Sequence, residues 1–343
     1  MENQKNILFI RLRLLGDIIF TIPAIQIYRD HFPGSRIYYV VEEKFREIAS
    51  LIPGIFKVIV IPRKMGLKAM WSFRKEIKKI AFDSVVDFHS GPKSAQLTFI
   101  SGIKTRIGYR TPNRNWAYTH LTPRIIGQMI GQTFSHSVFN QVKLLAHLGI
   151  HVESNNLPPY PPIPIEQSQI SAALQTILDS NSGTKSVVIH VGAGNAFRDW
   201  GIDKFSALIE RLQADKVLVY LVGNGEAEQK TGAYLAGRFV AVDCTGKISI
   251  PELLHLIAHA SVYVGADSGP LHLASLTATP LIAIYGPNVP EISGPWRTKN
   301  VTILQKEMAC RPCNQKKCIY GIIPCMKNIT MDDVYEAINR YIK

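Results

Sequence analysis

Four positions that could hold an anionic ligand lie within six residues of one another: Asp267, Ser268, Gly269 and His272. They follow a β-branched strand predicted over 261–264, and Pro270 opens the helix predicted to come next. Proline is tolerated in a first helical turn, where its missing N–H is not needed. Unbonded N–H groups and the positive end of the helix dipole would therefore point beyond the strand. A further strand predicted over 280–285 ends in Gly-Pro, so the segment predicts a phosphate-binding edge of a parallel sheet.

Asp17 is the candidate catalytic residue of the first half of the chain. It follows Gly16 in the first predicted strand-to-helix turn, where glycine would allow close backbone approach. A carboxylate at the end of a strand could act as a general base towards a hydroxyl group. It could equally be a helix N-cap, and the residues alone leave both interpretations open.

A glycine-rich strand exit in the second half could wrap a phosphate through three residues: Gly192, Ala193 and Gly194. It lacks the third glycine of the dinucleotide fingerprint, which disfavours an NAD-dependent oxidoreductase. Arg198 could bind a diphosphate through two parallel hydrogen bonds, or it could be a surface arginine beside a packed Trp200.

Two further turns could contribute to a nucleotide site. Glu226 and Glu228 open a predicted helix, where acids favour the helix dipole whatever the function, although a carboxylate could also accept hydrogen bonds from ribose. Lys247 and Ile248 lie in a turn before another predicted helix, with Ser249 as its candidate N-cap.

Strand and helix signals alternate along most of the chain, which predicts an α/β fold with parallel sheets wound on both faces. Strands are predicted over 7–11, 36–41, 57–61, 83–87, 186–191, 217–222, 240–243, 261–264 and 280–285. Helices are predicted over 18–32, 71–80, 94–101, 134–148, 170–178, 202–212, 226–235 and 250–258. Gly149 stands at the C-cap position of one of them.

The segment 157–164 holds five prolines in eight residues and reads as an extended linker. With 343 residues, the chain suits two domains. We expect a first Rossmann-like domain over 1–160, a second over 161–330, and a C-terminal helix over 331–343 that packs back on the first. A ligand cleft between two such sheets is the expected consequence.

The positive charge is concentrated in the first half. Residues 1–160 carry 22 Lys/Arg against 10 Asp/Glu, whereas residues 161–343 carry 17 against 16. This asymmetry favours a polyanionic partner for the first half, although a solubility surface is the structural alternative. No helix-turn-helix, RNP or zinc-finger signature supports nucleic acid as that partner. The chain shows no signal-peptide pattern and no transmembrane-length apolar run, so we expect a cytoplasmic protein.

Four of the five cysteines form a C-x2-C-x4-C-x6-C cluster: Cys310, Cys313, Cys318 and Cys325. Persistent disulfides are not expected in the cytosol. A structural zinc site is one interpretation, although the gaps are looser than in paired knuckles, and reduced thiols in a compact loop are the other.

Together these segments resemble the ADP-heptose:lipopolysaccharide heptosyltransferases, glycosyltransferase family 9. The resemblance is carried, in order along the chain, by Ile7–Arg11, Leu15-Gly16-Asp17, Thr21–Ala24, Arg106–Tyr109, Arg198-Asp199-Trp200, Thr245-Gly246-Lys247, Asp267–Ala274 and Tyr285-Gly286-Pro287. The Asp-Ser-Gly-x-x-His block is the most specific of these motifs, and the early Leu-Gly-Asp is next.

The resemblance implies a GT-B architecture, in which two Rossmann-like domains face a central cleft and transfer is inverting without a catalytic metal or other cofactor. Asp17 matches the family's proposed general base. Donor contacts to the sugar and diphosphate of ADP-heptose fall on Asp267, Ser268, Gly269 and His272, together with Gly192, Ala193, Gly194 and Arg198. Nucleotide contacts fall on Glu226 or Glu228 for the ribose, and on Lys247 and Ile248. Arg198 stands where the family usually has lysine.

The implied acceptor is a phosphorylated lipid A–core molecule at the cytoplasmic face of the inner membrane, which would suit the basic first half. Candidate acceptor contacts are Arg11, Arg13, Gly16, Arg63, Lys64, Arg106 and Arg110. Candidate contacts with the anionic membrane are Arg63, Lys64, Arg74, Lys75, Lys78, Lys79, Arg106, Arg110 and Arg114. We expect a monomer that is peripheral at this membrane and has no nucleic-acid partner.

The leading hypothesis is therefore a heptosyltransferase of the lipopolysaccharide inner core, with the heptosyltransferase II type as one form of it. The alternatives are a family-9 transferase that uses another nucleotide sugar, and a GT-B nucleotide-sugar epimerase. An epimerase would need no basic acceptor face. A non-catalytic anion-binding protein is disfavoured by Asp17 and by the complete Asp-Ser-Gly-x-x-His block.

Overall fold

The structure is a computed structural model that describes residues 5–124, 135–297, 299–311 and 313–342. The chain divides into two compact units, Met1–Ile163 and Pro164–Lys343, and the division falls within the proline-rich segment. Each unit is built around its own six-stranded sheet.

The first unit has parallel strands in the order β3-β2-β1-β4-β5-β6. The strands are β1 (Asn6–Ile10), β2 (Arg36–Glu42), β3 (Ile55–Ile61), β4 (Ser84–Asp87), β5 (Thr105–Tyr109) and β6 (His120–Thr122). Its α-helices are α1 (Leu15–Ile19), α2 (Ile22–His31), α3 (Arg46–Leu51), α4 (Leu67–Lys78), α5 (Pro92–Ile100) and α6 (Ser137–Lys143). Short 3₁₀ turns include Asn115–Ala117 and Leu144–Leu148.

The second unit repeats this topology, with parallel strands in the order β12-β11-β10-β7-β8-β9. The strands are β7 (Ser186–His190), β8 (Leu218–Val222), β9 (Val242–Asp243), β10 (Val262–Ala266), β11 (Leu281–Tyr285) and β12 (Val301–Gln305). Its helices are α7 (Ala172–Ser180), α8 (Ile202–Ala214), α9 (Glu226–Arg238), α10 (Ile250–His259), α11 (Gly269–Ala274), α12 (Pro290–Ser293), α13 (Pro324–Lys327) and α14 (Met331–Ile342). The α/β prediction of parallel sheets is confirmed.

Both sheets have the doubly wound Rossmann strand order, in which the order reverses between two central strands. The reversal falls between β1 and β4 in the first unit and between β7 and β10 in the second. These strands are almost fully buried, because helices cover both faces of a parallel sheet. Ligands of such sheets bind beyond the carboxyl ends of the strands at the reversal. The candidate site residues follow directly after those strand ends.

Two helix predictions need correction. The helix expected over 18–32 is divided into α1 and α2, because Pro23 has no N–H to donate to the preceding turn. The helix expected over 134–148 begins at Ser137 in the part that the structure describes and continues as the 3₁₀ turn Leu144–Leu148, while residue 134 lies outside that part. It ends at Gly149, whose φ of 85° is the left-handed C-cap conformation.

The C-terminal helix α14 also differs from expectation. Its apolar residues Val334, Ala337, Ile338 and Ile342 are buried in the same core as Leu208 and Leu212 of α8. The prediction that this helix packs back on the first domain is therefore corrected, because its apolar face completes the core of the second unit. None of the helices in the described ranges is long and apolar enough to span a bilayer.

Candidate active-site residues of each unit

Asp17 lies just beyond β1, at the strand-order reversal of the first unit. The N-cap of α1 is Leu14 and Asp17 is the third helical residue, so the N-cap interpretation of Asp17 is wrong. Its carboxylate instead forms an ion pair with Nη2 of Arg11, the first residue after β1. The Arg11 side chain is 4% exposed and that of Asp17 is 25% exposed, so a buried cation holds a carboxylate that still reaches solvent.

Arg11 is fixed from both ends of its guanidinium group. Nη1 donates to the backbone oxygen of Phe88, at 2.6 Å, directly after β4. The contact joins the two central strands, and Nε of Arg11 is buried without a hydrogen-bond partner in the described residues. Because Nη1 and Nη2 each already contact a protein group, we expect Arg11 to orient Asp17 rather than to bind the acceptor substrate.

The backbone that leads into α1 is strained. Leu14 has a φ of 69°, in the left-handed region that disfavours a residue with a branched side chain. Conformations of this kind cost about 1–3 kcal/mol and persist where the surroundings enforce them, commonly at functional sites. The strain sets the path of the chain between Arg11 and Asp17.

His89 is a residue of this junction that sequence reasoning missed. Burial lowers its pKa to about 3, and the positive charges of Arg11 and Arg13 act in the same direction, while Asp17 opposes them. The imidazole is therefore neutral at pH 7, and its buried Nδ1 has no hydrogen-bond partner among the described residues. The sequence signal that could have identified His89 was its position, two residues after the end of the strand predicted over 83–87.

The other basic residues predicted to contact the acceptor substrate differ in their exposure. Arg13, Arg63, Lys64 and Arg110 are exposed. Arg106 is half-buried, and its Nε and Nη1 donate to the backbone oxygens of Ala117 and Ile103, each at 2.8 Å. Arg106 thus holds the loop between β5 and β6.

The second unit brings together Asp267 and Arg198 at the carboxyl end of β10. Nη1 of Arg198 donates to the backbone oxygen of Asp267 at 2.9 Å and lies 3.4 Å from its Oδ2. Asp267 is 5% exposed, and its carboxylate also accepts from the amide of Asn288. Nε2 of His272 lies 3.8 Å from the other carboxylate oxygen. The alternative in which Arg198 is an isolated surface residue is therefore wrong.

Asn288 and Gln315 complete this network, and sequence reasoning missed both. Gln315 accepts from Nε of Arg198 at 2.9 Å and donates to Oδ1 of Asn288 at 2.6 Å. Gln315 lies far from Arg198 in the sequence, so no local pattern could relate them. The guanidinium group of Arg198 is consequently held in one orientation by two acceptors on different segments.

A second polar chain runs from β10 to α9 through His190, the last residue of β7. Nδ1 of His190 lies 3.3 Å from Oγ of Ser268, and Nε2 lies 3.4 Å from Oε1 of Glu228. The hydrogen bond from His190 is the main reason that the pKa of Glu228 falls to about 2; the backbone N–H groups of Asn224 and Gly225 add to it. Sequence reasoning did not identify His190.

The two candidate ribose acids have different surroundings. Oε2 of Glu228 accepts from the N–H groups of Asn224 and Gly225, each at 2.7 Å, and the side chain is 14% exposed. Glu226 is 84% exposed and pairs with Lys230 one turn away. Only Glu228 belongs to the polar network at the edge of the second sheet.

The glycine-rich turn is shaped around Glu228. A Cβ built on Gly192 would lie 2.4 Å from Cγ of Glu228. Gly192 therefore allows the carboxylate to approach the end of β7, and Ala193 and Gly194 continue the turn.

Lys247 and Ile248 lie in the turn between β9 and α10. Nζ of Lys247 is 2.7 Å from Oδ2 of Asp243, so this lysine is already paired. Ile248 is half-buried against the core that includes Cys244 and Leu256.

The four clustered cysteines line a single cavity of about 180 Å³, together with Phe197, Pro287 and Arg311 among others. Burial raises the pKa of Cys325, and the neighbouring Arg311 opposes this shift. Within the described ranges, no three Cys, His, Asp or Glu side chains are arranged to hold a metal ion. The thiols share a cavity but do not fit the structural zinc site that their spacing suggested.

Comparison with known proteins identifies the family. The sequence model of glycosyltransferase family 9 (heptosyltransferase) matches residues 70–323. The chain is 26% identical over 329 residues to lipopolysaccharide heptosyltransferase 1 of Pseudomonas aeruginosa, covering 92% of this chain and 87% of that protein. It is also 26% identical over 336 residues to lipooligosaccharide heptosyltransferase 2 of Campylobacter jejuni, covering 95% and 96%.

The fold agrees with this assignment. The solved structure of Escherichia coli ADP-heptose lipopolysaccharide heptosyltransferase II superposes with a TM-score of 0.79 at 18% identity, covering 98% of each chain. The GT-B class with two Rossmann-like domains is thereby confirmed, as is the resemblance found in the motifs. This chain is a glycosyltransferase that belongs to family 9, the heptosyltransferases.

Proposed function

We propose that this enzyme transfers a heptose from ADP-heptose to the inner core of lipopolysaccharide, with inversion at the anomeric carbon and with Asp17 as the general base. The observation that carries the proposal is the Asp17 carboxylate, which reaches solvent at the strand-order reversal while Arg11 holds it in place. The names of the relatives support the sugar and the acceptor class.

The role of Asp17 follows from the chemistry of the acceptor. A sugar hydroxyl is a weak nucleophile until a carboxylate within about 3 Å accepts its proton. Asp17 lies in the first turn of α1 and is not its N-cap residue, which is Leu14. Arg11 positions the carboxylate, so that the acceptor hydroxyl meets it in one orientation.

The donor diphosphate is assigned to the second unit. Negative charge develops on ADP as the glycosidic bond breaks, and fixed positive partners stabilise it. Arg198 supplies a guanidinium group that Asp267 and Gln315 already orient. The backbone of Ser268 and Gly269 and the side chain of His272 complete the proposed contacts, so the mechanism invokes no divalent metal.

The nucleoside is assigned to the neighbouring elements. Glu228 is the proposed ribose acceptor because it belongs to the edge network, whereas Glu226 is solvated and paired with Lys230. Ionised carboxylates have about four lone-pair sites, so the contacts of Glu228 leave room for a ribose hydroxyl. Lys247 and Ile248 are proposed to flank the adenine.

The acceptor is assigned to the basic first unit, through Arg13, Arg63, Lys64 and Arg110. A phosphorylated lipid A–core molecule is anionic, and positive charge on an enzyme raises its encounter rate with such a substrate. Peripheral contact with the anionic inner membrane from the cytoplasm belongs to the same proposal.

One set of measurements tests the donor. Thermal unfolding of the full chain is followed with ADP-heptose and with UDP-, GDP- and TDP-sugars. Selective stabilisation by ADP-heptose supports the proposal, whereas preference for a uridine sugar contradicts it. Transfer to acceptors that carry no heptose or one heptose then distinguishes type 1 from type 2 activity, since the relatives of both types are equally similar.

A further inference from the structure

Helix α4 presents an apolar stripe to solvent that its own packing does not use. Leu67 and Trp71 lie one turn apart on the same side and are 87% and 65% exposed. The opposite side buries Phe73 and Ile77 in the core of the first unit. Exposed large apolar side chains that cluster together are typical of an interaction surface.

A second exposed pair lies on the neighbouring elements. Phe99 near the end of α5 and Trp116 in the next 3₁₀ turn stack edge to face at 5.2 Å, and about half of each side chain is exposed. Helix α5 packs against α4, and Nη1 of Arg74 donates to the backbone oxygen of Ile100 at 2.6 Å. The two exposed pairs therefore lie on elements that are fixed to each other.

The two segments of sequence that carry these pairs are rich in positive charge. Residues 63–79 carry seven Lys/Arg and one acid, Glu76, which pairs with Lys57 at 3.1 Å. Residues 88–152 carry seven Lys/Arg and no acid. Nζ of Lys75 lies 5.7 Å from the ring centre of Trp71. We name Leu67, Lys68, Trp71, Lys75, Phe99 and Trp116 the aromatic–basic face.

We propose that the aromatic–basic face docks the enzyme on a bilayer of anionic lipid, with Leu67 and Trp71 inserted at the interface. Tryptophan favours the level of lipid headgroups, and an aliphatic side chain beside it adds buried apolar area. Lys68 and Lys75 then meet the anionic headgroups. The charge predicted a polyanionic partner and the family resemblance implied a membrane, whereas the exposed aromatic side chains define which surface meets it.

The location of the face suits a lipid-linked acceptor, and this step rests on the proposed function. Helix α4 follows β3 in a parallel sheet, so its first turn, with Leu67, lies towards the carboxyl edge of that sheet. Asp17 follows β1 at the same edge. Docking through Leu67 would keep the proposed base on the membrane side of the first unit.

Two other occupants fit less well. In a symmetric dimer the same surface meets itself, which would place the lysines of both copies together. Single-stranded RNA would use the aromatic rings as stacking platforms, but the exposed aliphatic side chain of Leu67 has no role in stacking.

The test is co-sedimentation of the full chain with phosphatidylcholine vesicles, with and without phosphatidylglycerol, at low and high salt. Leu67→Ser/Trp71→Ser should abolish binding to anionic vesicles, and the blue shift of tryptophan fluorescence on binding should shrink. Lys68→Gln/Lys75→Gln should lower the partition coefficient about fivefold per lysine at low salt and less at high salt.

Matched controls lie on the second unit. Tyr234→Ser/Val240→Ser removes comparable exposed apolar surface, and Lys185→Gln/Lys299→Gln removes the same charge. Both should bind vesicles as the wild type does. The proposal would be overturned if these controls lost as much vesicle binding, or if the Leu67/Trp71 variant bound as the wild type does. It would also be overturned if the wild type showed no preference for anionic vesicles.

ADP binding separates this proposal from the proposed function. All variants should keep the thermal stabilisation by ADP, because none touches the donor residues. If the wild type binds vesicles but not ADP, the enzymatic proposal fails while the docking surface stands. If it binds ADP but ignores anionic vesicles, the docking proposal fails alone.

Discussion

Arg11 and Asp17 form an ion pair across the first strand-to-helix turn, with the guanidinium group buried and the carboxylate partly exposed. The same guanidinium group donates to the backbone oxygen of Phe88, so one side chain connects β1, β4 and the start of α1. The strained backbone of Leu14 lies between the two partners. This geometry gives Asp17 a fixed position, as expected of a residue that must meet a hydroxyl group in one orientation.

Asp17→Asn should lower the transfer rate by roughly 10²–10⁴-fold, because the amide cannot accept the hydroxyl proton. ADP binding should be unchanged, since the proposed donor contacts belong to the second unit. Single-turnover transfer and calorimetric ADP titration measure the two effects. Asp30→Asn, at an exposed position of α2, is the matched control and should transfer at the wild-type rate. Near-normal transfer by Asp17→Asn would remove Asp17 from the mechanism.

Arg11→Lys separates positioning from charge. Lysine keeps the positive charge but cannot reach Asp17 and the Phe88 carbonyl with a planar fork. The rate should fall about tenfold to 100-fold with little change in the KM for the donor, since misplacement of a catalytic group by about 1 Å costs this much. Arg29→Lys, in the last turn of α2, provides the control. An unchanged rate, or a loss confined to donor KM, would show that Arg11 does not position the base.

Arg198→Ala should weaken ADP binding about tenfold to 100-fold, the value of a hydrogen bond to a charged group. Arg198→Lys should lose less, because a point charge remains while the fork to Asp267 and Gln315 is lost. Titration calorimetry with ADP measures both, and Arg238→Ala on the exposed end of α9 is the control. Equal losses for the alanine and lysine variants would show that geometry, and not charge, is what the site requires.

The sequence predicted the strand-helix junctions well, because strand ends, glycines and capping residues are local signals. It located Asp17, Arg198 and Asp267 for that reason. It could not predict that His190 would reach Glu228, or that Gln315 would reach Arg198, since these contacts depend on the order of strands in the sheet. Strands β5, β6 and β12 were not predicted, and the three residues of β6 are too few to show a periodicity. The cysteine spacing suggested a metal site, but spacing does not determine where four thiols point.

The low pKa of Glu228 predicts acid sensitivity. Its folded pKa of about 2 lies below the ordinary value of 4.5, so the ionised carboxylate stabilises the fold above about pH 4.5. This contribution is lost as the pH falls from about 4.5 towards 2. Glu228→Gln should therefore cost up to about 3 kcal/mol of unfolding free energy at pH 7 and progressively less in acid. Urea unfolding at several pH values measures the difference, with Glu226→Gln as the exposed control. A difference independent of pH would contradict the assignment.

Gly192→Ala tests whether the glycine-rich turn exists to admit Glu228. The added Cβ would meet Cγ of Glu228 at 2.4 Å, so the carboxylate must leave its position beside His190 and the backbone N–H groups. Unfolding free energy should fall by about 1–3 kcal/mol, as for other overpacked sites, and ADP binding should weaken with it.

Gly237→Ala is a contrasting control, because a Cβ there meets open space on the exposed side of α9. Alanine in a helix is favoured over glycine, so this control should be neutral or stabilising by up to about 1 kcal/mol. If Gly192→Ala cost as much unfolding free energy in a Glu228→Ala background as in the wild type, the clash with Glu228 would not be the cause of the loss.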